Sequence, residues 1–143
     1  MSEAIDLDRF KRAQLDIYEQ VVSELKAGRK RSHWIWFIFP QIQGLGTSLM
    51  NERYAIRSLS EARAYLDDPI SYAVFCLKKN MLLMHASQPI DRVLGYPDNL
   101  KLKSSMTLFS VASPEDPIFR EVLDAFFSGA TDLKTLQKLE IDQ

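Results

Sequence analysis

The sequence predicts an all-α, multihelical, bundle-like fold with a buried aromatic helix, in a single domain over residues 1–143. Three observations carry that prediction. Apolar residues recur at helical spacing along most of the chain, and capping and stop residues fall where the periodic stretches change. The strand-like run Trp34 to Phe39 has no second alternating segment to pair with, and a lone strand leaves its backbone groups unsatisfied. A chain of 143 residues, 46% of them hydrophobic, can build one real core.

The elements follow in order. Asp6 reads as the N-cap of a first helix whose apolar positions are Leu7, Phe10, Ile17, Val21 and Leu25, with Gly28 as its stop. Lys26 and the cluster Arg29, Lys30 and Arg31 complement the negative end of that helix. Trp34 to Phe39 reads as a short buried helix, with Ser32 as N-cap and Pro40 as terminator. Gln41 to Asn51, rich in Gly44, Gly46, Thr47 and Ser48, reads as a loop. Ser58 and Glu61 form a capping-box pattern ahead of Leu59, Ala62 and Leu66, ending at Asp67. Asp68 caps the next helix with Pro69 in its first turn, and Ile70, Ala73, Leu77, Met81 and Met84 form the stripe expected to face the core. A turn holding Pro89 to Leu94 ends at Gly95. From Asp98 a helix carries Leu102, Met106 and Phe109 on one face, with Lys101, Ser104 and Ser105 adjoining. Pro114 ends it. Asp116 and Pro117 begin a helix with Phe119, Val122, Leu123 and Phe126 inward and Gly129 as terminator. Thr131 or Asp132 caps a last helix bearing Leu133, Leu136 and Leu139.

Composition narrows the function classes. Eighteen Lys and Arg nearly cancel nineteen Asp and Glu, so no global field favours nucleic acid or an anionic membrane. The single Cys76 excludes an internal disulfide and a multi-cysteine zinc site, and its apolar helical setting reads as a buried, inert thiol. Residues 1–7 contain Glu3 and Asp6 rather than a basic leader, and no apolar run reaches membrane-spanning length, so a cytoplasmic location is expected. Serine-elbow, Walker A, His-Glu-x-x-His and dinucleotide-binding signatures are absent. His33 and His85 match no metal-ligand spacing, and neither a metal nor a cofactor is expected.

Two constellations have chemical potential. In the first, Arg29, Lys30, Arg31, Ser32 and His33 abut the aromatic run, where Trp36 can face a ligand and His33 can act as a base or a hydrogen-bond donor. A helix cap or core-edge histidine explains the same residues without function. In the second, Asp98, Lys101, Ser104 and Ser105 set an ammonium and hydroxyls near a helix start, suited to phosphate or carboxylate. An ordinary capped helix with a polar face explains these equally well. Gln41, Gly44 and Gly46 offer an amide and approachable backbone, and Tyr54 lies just beyond them.

On these residues the chain resembles the bacterial domain-of-unknown-function family eighteen-ten, members of which carry the label calpastatin. The carriers are Asp6 to Phe10 with Ala13 and Gln14, the unbroken stretch Glu24 to Gln41, Gly44 to Gly46 with Ser48, Tyr54, Glu61, Ala62, Tyr65, Leu66, Gly95, Asp98, and Lys101 to Phe109. The resemblance runs nearly end to end and implies an all-α fold. The label is not carried over, because calpastatins are disordered inhibitors and this composition is that of a folded domain. One departure stands out. Where the family tends to read Leu-Gly-x-Arg-Leu, this chain has Ser71 to Phe75, with Val74 in place of the arginine. A looser similarity links the chain to the NADAR group of ADP-ribose-linked proteins.

The expectation is one polar pocket beside the aromatic run that binds a small anionic ligand of nucleotide or ADP-ribose type, with hydrolysis as a possible reaction. His33 and Asp98 are its candidate catalytic groups. Arg29, Lys30, Arg31, Ser32, Trp36, Gln41, Gly44, Gly46, Tyr54, Lys101, Ser104 and Ser105 are its candidate ligand-binding groups. The alternative is a non-enzymatic helical protein-interaction module.

Overall fold

The computed structural model describes residues 7–46 and 48–142. The helices are α1 (Asp8–Ala27), α2 (Ile35–Ile38), α3 (Leu49–Arg53), α4 (Leu59–Asp67), α5 (Pro69–Leu83), α6 (Ile90–Leu94), α7 (Asp98–Ala112), α8 (Ile118–Phe127) and α9 (Leu133–Asp142). Among the described residues the only β pairing is an isolated parallel bridge, Ile42 to Ile56. The all-α prediction holds.

The aromatic run is the buried helix the sequence implies. Trp34, Ile35, Phe37, Ile38 and Phe39 are buried, and around them Phe10, Tyr54, Tyr65, Phe75, Phe109 and Phe119 pack ring against ring. Edge-to-face pairs such as Phe39 with Phe75, at 5.5 Å between centroids, satisfy the ring quadrupoles. Gln14 of α1 ties α2 down by donating to the Phe37 carbonyl at 2.7 Å and to the Tyr65 hydroxyl at 3.2 Å. Gly28 ends α1 at φ +73°, and a Cβ there would lie 2.9 Å from the His85 ring, so two constraints require glycine.

Several local expectations are corrected. The proposed cap Asp6 and the loop residue Thr47 lie outside the described residues. Ser32 does not cap α2: the helix starts after Trp34 with no side-chain cap, because the Ser32 hydroxyl donates to Glu24. The loop expected over residues 41–51 already turns into α3 at Leu49, capped by Ser48. Ser58 caps α4 through the Glu61 amide, but the Glu61 carboxylate pairs with Arg9 at 2.6 Å, so the capping box is half made. Residues 90–94 form a helix rather than a turn. Cys76 is half-buried.

The largest correction concerns α5. Of its expected core stripe only Met81 is buried; Ile70, Leu77 and Met84 are 63%, 42% and 79% exposed. The face turned to the core carries Ser71, Phe75, Lys78 and Leu82. These residues also recur at helical spacing, but two of them are polar in class. A lysine stem is apolar, and the Lys78 ammonium lies 3.9 Å from the centre of the Tyr18 ring, so residue class misassigned the face. Phe126, predicted inward, is likewise only half-buried, and Leu133 on α9 is 70% exposed.

Candidate functional site

The basic-aromatic stretch is organised by Glu24, a residue of α1 that is itself buried. Its carboxylate accepts from the Arg31 amide at 2.6 Å, the Ser32 amide at 2.9 Å, the Ser32 hydroxyl at 2.6 Å and the Trp34 indole at 3.0 Å. Burial pushes this carboxyl upward, but the bonds from Ser32, Arg31 and Trp34 outweigh it and bring it from 4.5 to about 2. Gln20 closes the network on the Ser32 hydroxyl. Ser32 and the Arg31 backbone are therefore consumed by the turn between α1 and α2.

At the start of α7, Asp98 joins the two predicted constellations. It meets the Lys30 ammonium at 2.7 Å and the Lys101 ammonium at 3.6 Å. Each lysine also faces an indole: Lys30 lies 5.2 Å from the Trp34 ring and Lys101 4.7 Å from the Trp36 ring. These cation–π contacts hold both ammonium groups beside the aromatic run.

Beyond Lys101 a groove of about 520 Å³ opens between α7, the N-terminal end of α9 and the loop before α3. Gln41, Asn51, Lys101, Lys103, Ser104, Asp132 and Lys134 give it polar walls, and Leu45, Pro97, Leu100 and Leu133 give it apolar ones. Its volume falls in the range of small-molecule sites. A smaller hollow of about 10 Å³ adjoins it, sharing Gln41, Leu45, Gly46 and Asn51 and adding Trp36, Gly44 and Tyr54. The Trp36 Nε1 is buried and has no hydrogen-bond partner among the described residues. The backbone that carries Gln41 is fixed by the bridge to the segment after α3, where the Ile56 amide donates to the Gln41 carbonyl at 2.8 Å.

The single pocket expected from the sequence thus divides. Gln41, Gly46, Lys101 and Ser104 line the groove, and Trp36, Gly44 and Tyr54 line the hollow beside it. Asp98 braces Lys101 without lining the groove. Arg29 and Lys30 border a separate hollow with Gln88, Asp91 and Arg92. The side chains of Arg31 and His33 are exposed, and neither lines the groove. Ser105 is fully buried, its hydroxyl unpartnered. Val74, where the family tends to carry arginine, is half-buried on α5 and also outside the groove.

The family model described as protein of unknown function DUF1810 matches residues 4–139. The chain belongs to that family. The crystal structure of the conserved hypothetical protein Rv1873 from Mycobacterium tuberculosis is similar to this DUF1810 chain throughout, with a TM-score of 0.93 and 41% identity over 96% of this chain and 99% of that one. A search of the curated proteins finds no match to the chain.

Sequence reasoning missed Asn51, Lys103, Asp132 and Lys134 in this DUF1810 groove. Asp132 had been assigned only the role of a cap, which it fills: its carboxylate accepts from the Thr135 amide at 3.0 Å. Lys138, one turn after Lys134 on α9, reaches the loop at Gly44, a tertiary contact that no sequence pattern signals. Among the described residues no group of three or more His, Cys, Asp or Glu is placed to hold a metal ion, and no helix is long and apolar enough to cross a membrane.

Proposed function

We propose that the groove between α7, α9 and the loop before α3 binds a small anionic ligand of nucleotide or ADP-ribose type. The observation that carries this reading is the position of Lys101. Its ammonium is steered by Asp98 and the Trp36 ring while the side chain forms part of the groove wall, at the point where the groove meets the hollow beside Trp36. Three lysines against one carboxylate, Asp132, make the lining cationic. The carboxamides of Gln41 and Asn51 supply directional donors and acceptors, and Leu45, Leu100 and Leu133 supply apolar surface for a ring. Binding needs no hydrolytic step, and neither His33 nor Asp98 lines the groove. A bacterial setting belongs to the same proposal, since the similar structure comes from a bacterium, and the single cysteine suits a reducing cytoplasm.

The test is a thermal-shift screen of wild type and Lys101→Ala against nucleotides, NAD, ADP-ribose, sugar phosphates and small carboxylates. A ligand at ~100 times its dissociation constant stabilises by about 2.7 kcal/mol. The reading predicts at least one hit that is lost in Lys101→Ala.

A second reading, a non-enzymatic protein-interaction module, is favoured by one specific observation. Ile70, Leu77 and Met84 on α5, with Leu15 and Tyr18 on α1, leave large apolar side chains exposed. A screen without hits, followed by loss of partner capture in Leu77→Glu, would support it.

A further inference from the structure

Asp132 is built into the groove more firmly than a helix cap requires. Its Oδ2 accepts from the Thr135 amide at 3.0 Å, the Thr135 hydroxyl at 2.6 Å and the Ser104 hydroxyl at 3.2 Å, while its own amide donates to the Thr107 hydroxyl at 2.9 Å. Ser104, Thr107 and Thr135 are all buried. The Thr135 hydroxyl and the Ser104 hydroxyl, which is shared with the Leu100 carbonyl at 3.1 Å, hold the carboxylate at the groove, and the Thr107 hydroxyl holds the Asp132 backbone amide. The three bonds to the carboxylate all fall on one oxygen, Oδ2. The other, Oδ1, takes no hydrogen bond and no ion pair from the described residues, although three lysines share the groove with it.

We propose that Asp132 recognises the hydroxyl groups of the ligand, so that the groove selects a phosphate-bearing sugar over a simple anion. This rests on the reading of the groove as an anion site. An ionised carboxylate only accepts hydrogen bonds and repels a phosphate, whereas a sugar hydroxyl donates to it. A carboxylate accepting from ribose hydroxyls is the device that other nucleotide-binding folds use. Of the three groove lysines, Lys101 lies nearest the start of α7. Lys101 precedes Ser104 by three residues, about 4.5 Å of rise, and its ammonium is drawn farther toward the N-terminus by Asp98. The anionic part of the ligand thus lies toward Lys101 and its hydroxyls lie toward Asp132.

The experiment measures dissociation constants for three probes, AMP, 2′,3′-dideoxy-AMP and inorganic pyrophosphate, on wild type, Asp132→Asn and Lys101→Ala. Asparagine caps helices as well as aspartate does, so α9 keeps its start, and Asp132→Ser is the second capping variant should the first unfold. Wild type is expected to favour AMP over the dideoxy analogue by about tenfold or more, as befits a hydrogen bond to a charged group. Asp132→Asn is expected to reduce that preference below about threefold while binding pyrophosphate at least as well as wild type. Equal affinity of wild type for AMP and its dideoxy analogue, with pyrophosphate still bound through Lys101, would overturn the role of Asp132 and leave the anion site standing. Failure of all three probes would overturn both.

Discussion

The Glu24 turn and the α7–α9 groove use the same kinds of residue to opposite ends. At the turn, a carboxylate, a serine hydroxyl, two amides and an indole satisfy one another, and little hydrogen-bonding capacity is left for a ligand. In the groove, Asp132 is anchored through one oxygen only, and Lys101 is steered rather than sealed. Polar residues beside an aromatic run are therefore not evidence of a site until their partners are counted. What distinguishes the two regions is unspent capacity that faces solvent.

The strongest way to break this comparison is Glu24→Gln. It replaces one acceptor oxygen with an NH2 group inside a ring of donors, and about 2–4 kcal/mol of stability should be lost in chemical denaturation, with groove binding unchanged. The same residue sets an acid limit. Because the folded carboxyl sits near 2 against 4.5 unfolded, its contribution is complete above pH ~4.5 and is lost as the pH falls toward 2. Glu24→Gln should flatten the stability curve across that window. If it binds ligand more weakly and denatures normally, the turn belongs to the site and the distinction drawn above fails.

Lys78 gives the next effect, in the opposite direction. Burial brings its ammonium from 10.5 down to about 8, and its Nζ has no hydrogen-bond partner among the described residues. The unfolded chain then binds more protons between pH 8 and 10.5, so stability rises with pH across that range, and Lys78→Met should add about 1–3 kcal/mol at pH 7. A loss of stability in Lys78→Met would mean that the contact with Tyr18 outweighs desolvation.

How much could be read in advance divides along the same line. The boundaries of α4, α5 and α7 were legible because Ser58, Asp68, Pro69 and Pro114 act locally, within a few residues of the helix end they set. The buried aromatic helix was legible because Trp34 to Phe39 has no strand partner. The inward face of α5 was not, since whether Lys78 or Leu77 turns to the core depends on Tyr18, sixty residues earlier in the chain. Lys101 and Ser104 are candidate site residues from polar character near a helix start, and Gln41 from an amide beside a glycine loop, and the groove contains all three. Ser32 and Arg31 looked similar in sequence, but their partner Glu24 lies a helical segment away and could not be paired with them by pattern. Asp132 and Lys134 were missed because the packing of α9 on α7, which brings them opposite Ser104, is a tertiary fact.

Smaller perturbations sharpen the picture. A Cβ at Gly46 would collide with the Asn51 side chain, so Gly46→Ala should displace that carboxamide from the groove. Weakened ligand binding by a few-fold, with a modest fall in melting temperature, is expected in titration and thermal denaturation. His33→Ala should change stability by less than about 0.5 kcal/mol, as exposed side chains usually do, and should leave ligand affinity within error. A large loss of binding in His33→Ala would move the site toward the turn.

The measurement closest to the central claim is ligand-induced thermal stabilisation of wild type, Lys101→Ala and Glu24→Gln in parallel, with the same panel of phosphorylated compounds. The account predicts that wild type and Glu24→Gln are stabilised by the same compounds, from different starting temperatures, while Lys101→Ala starts near wild type and is stabilised by none. Equal stabilisation of Lys101→Ala and wild type would contradict it.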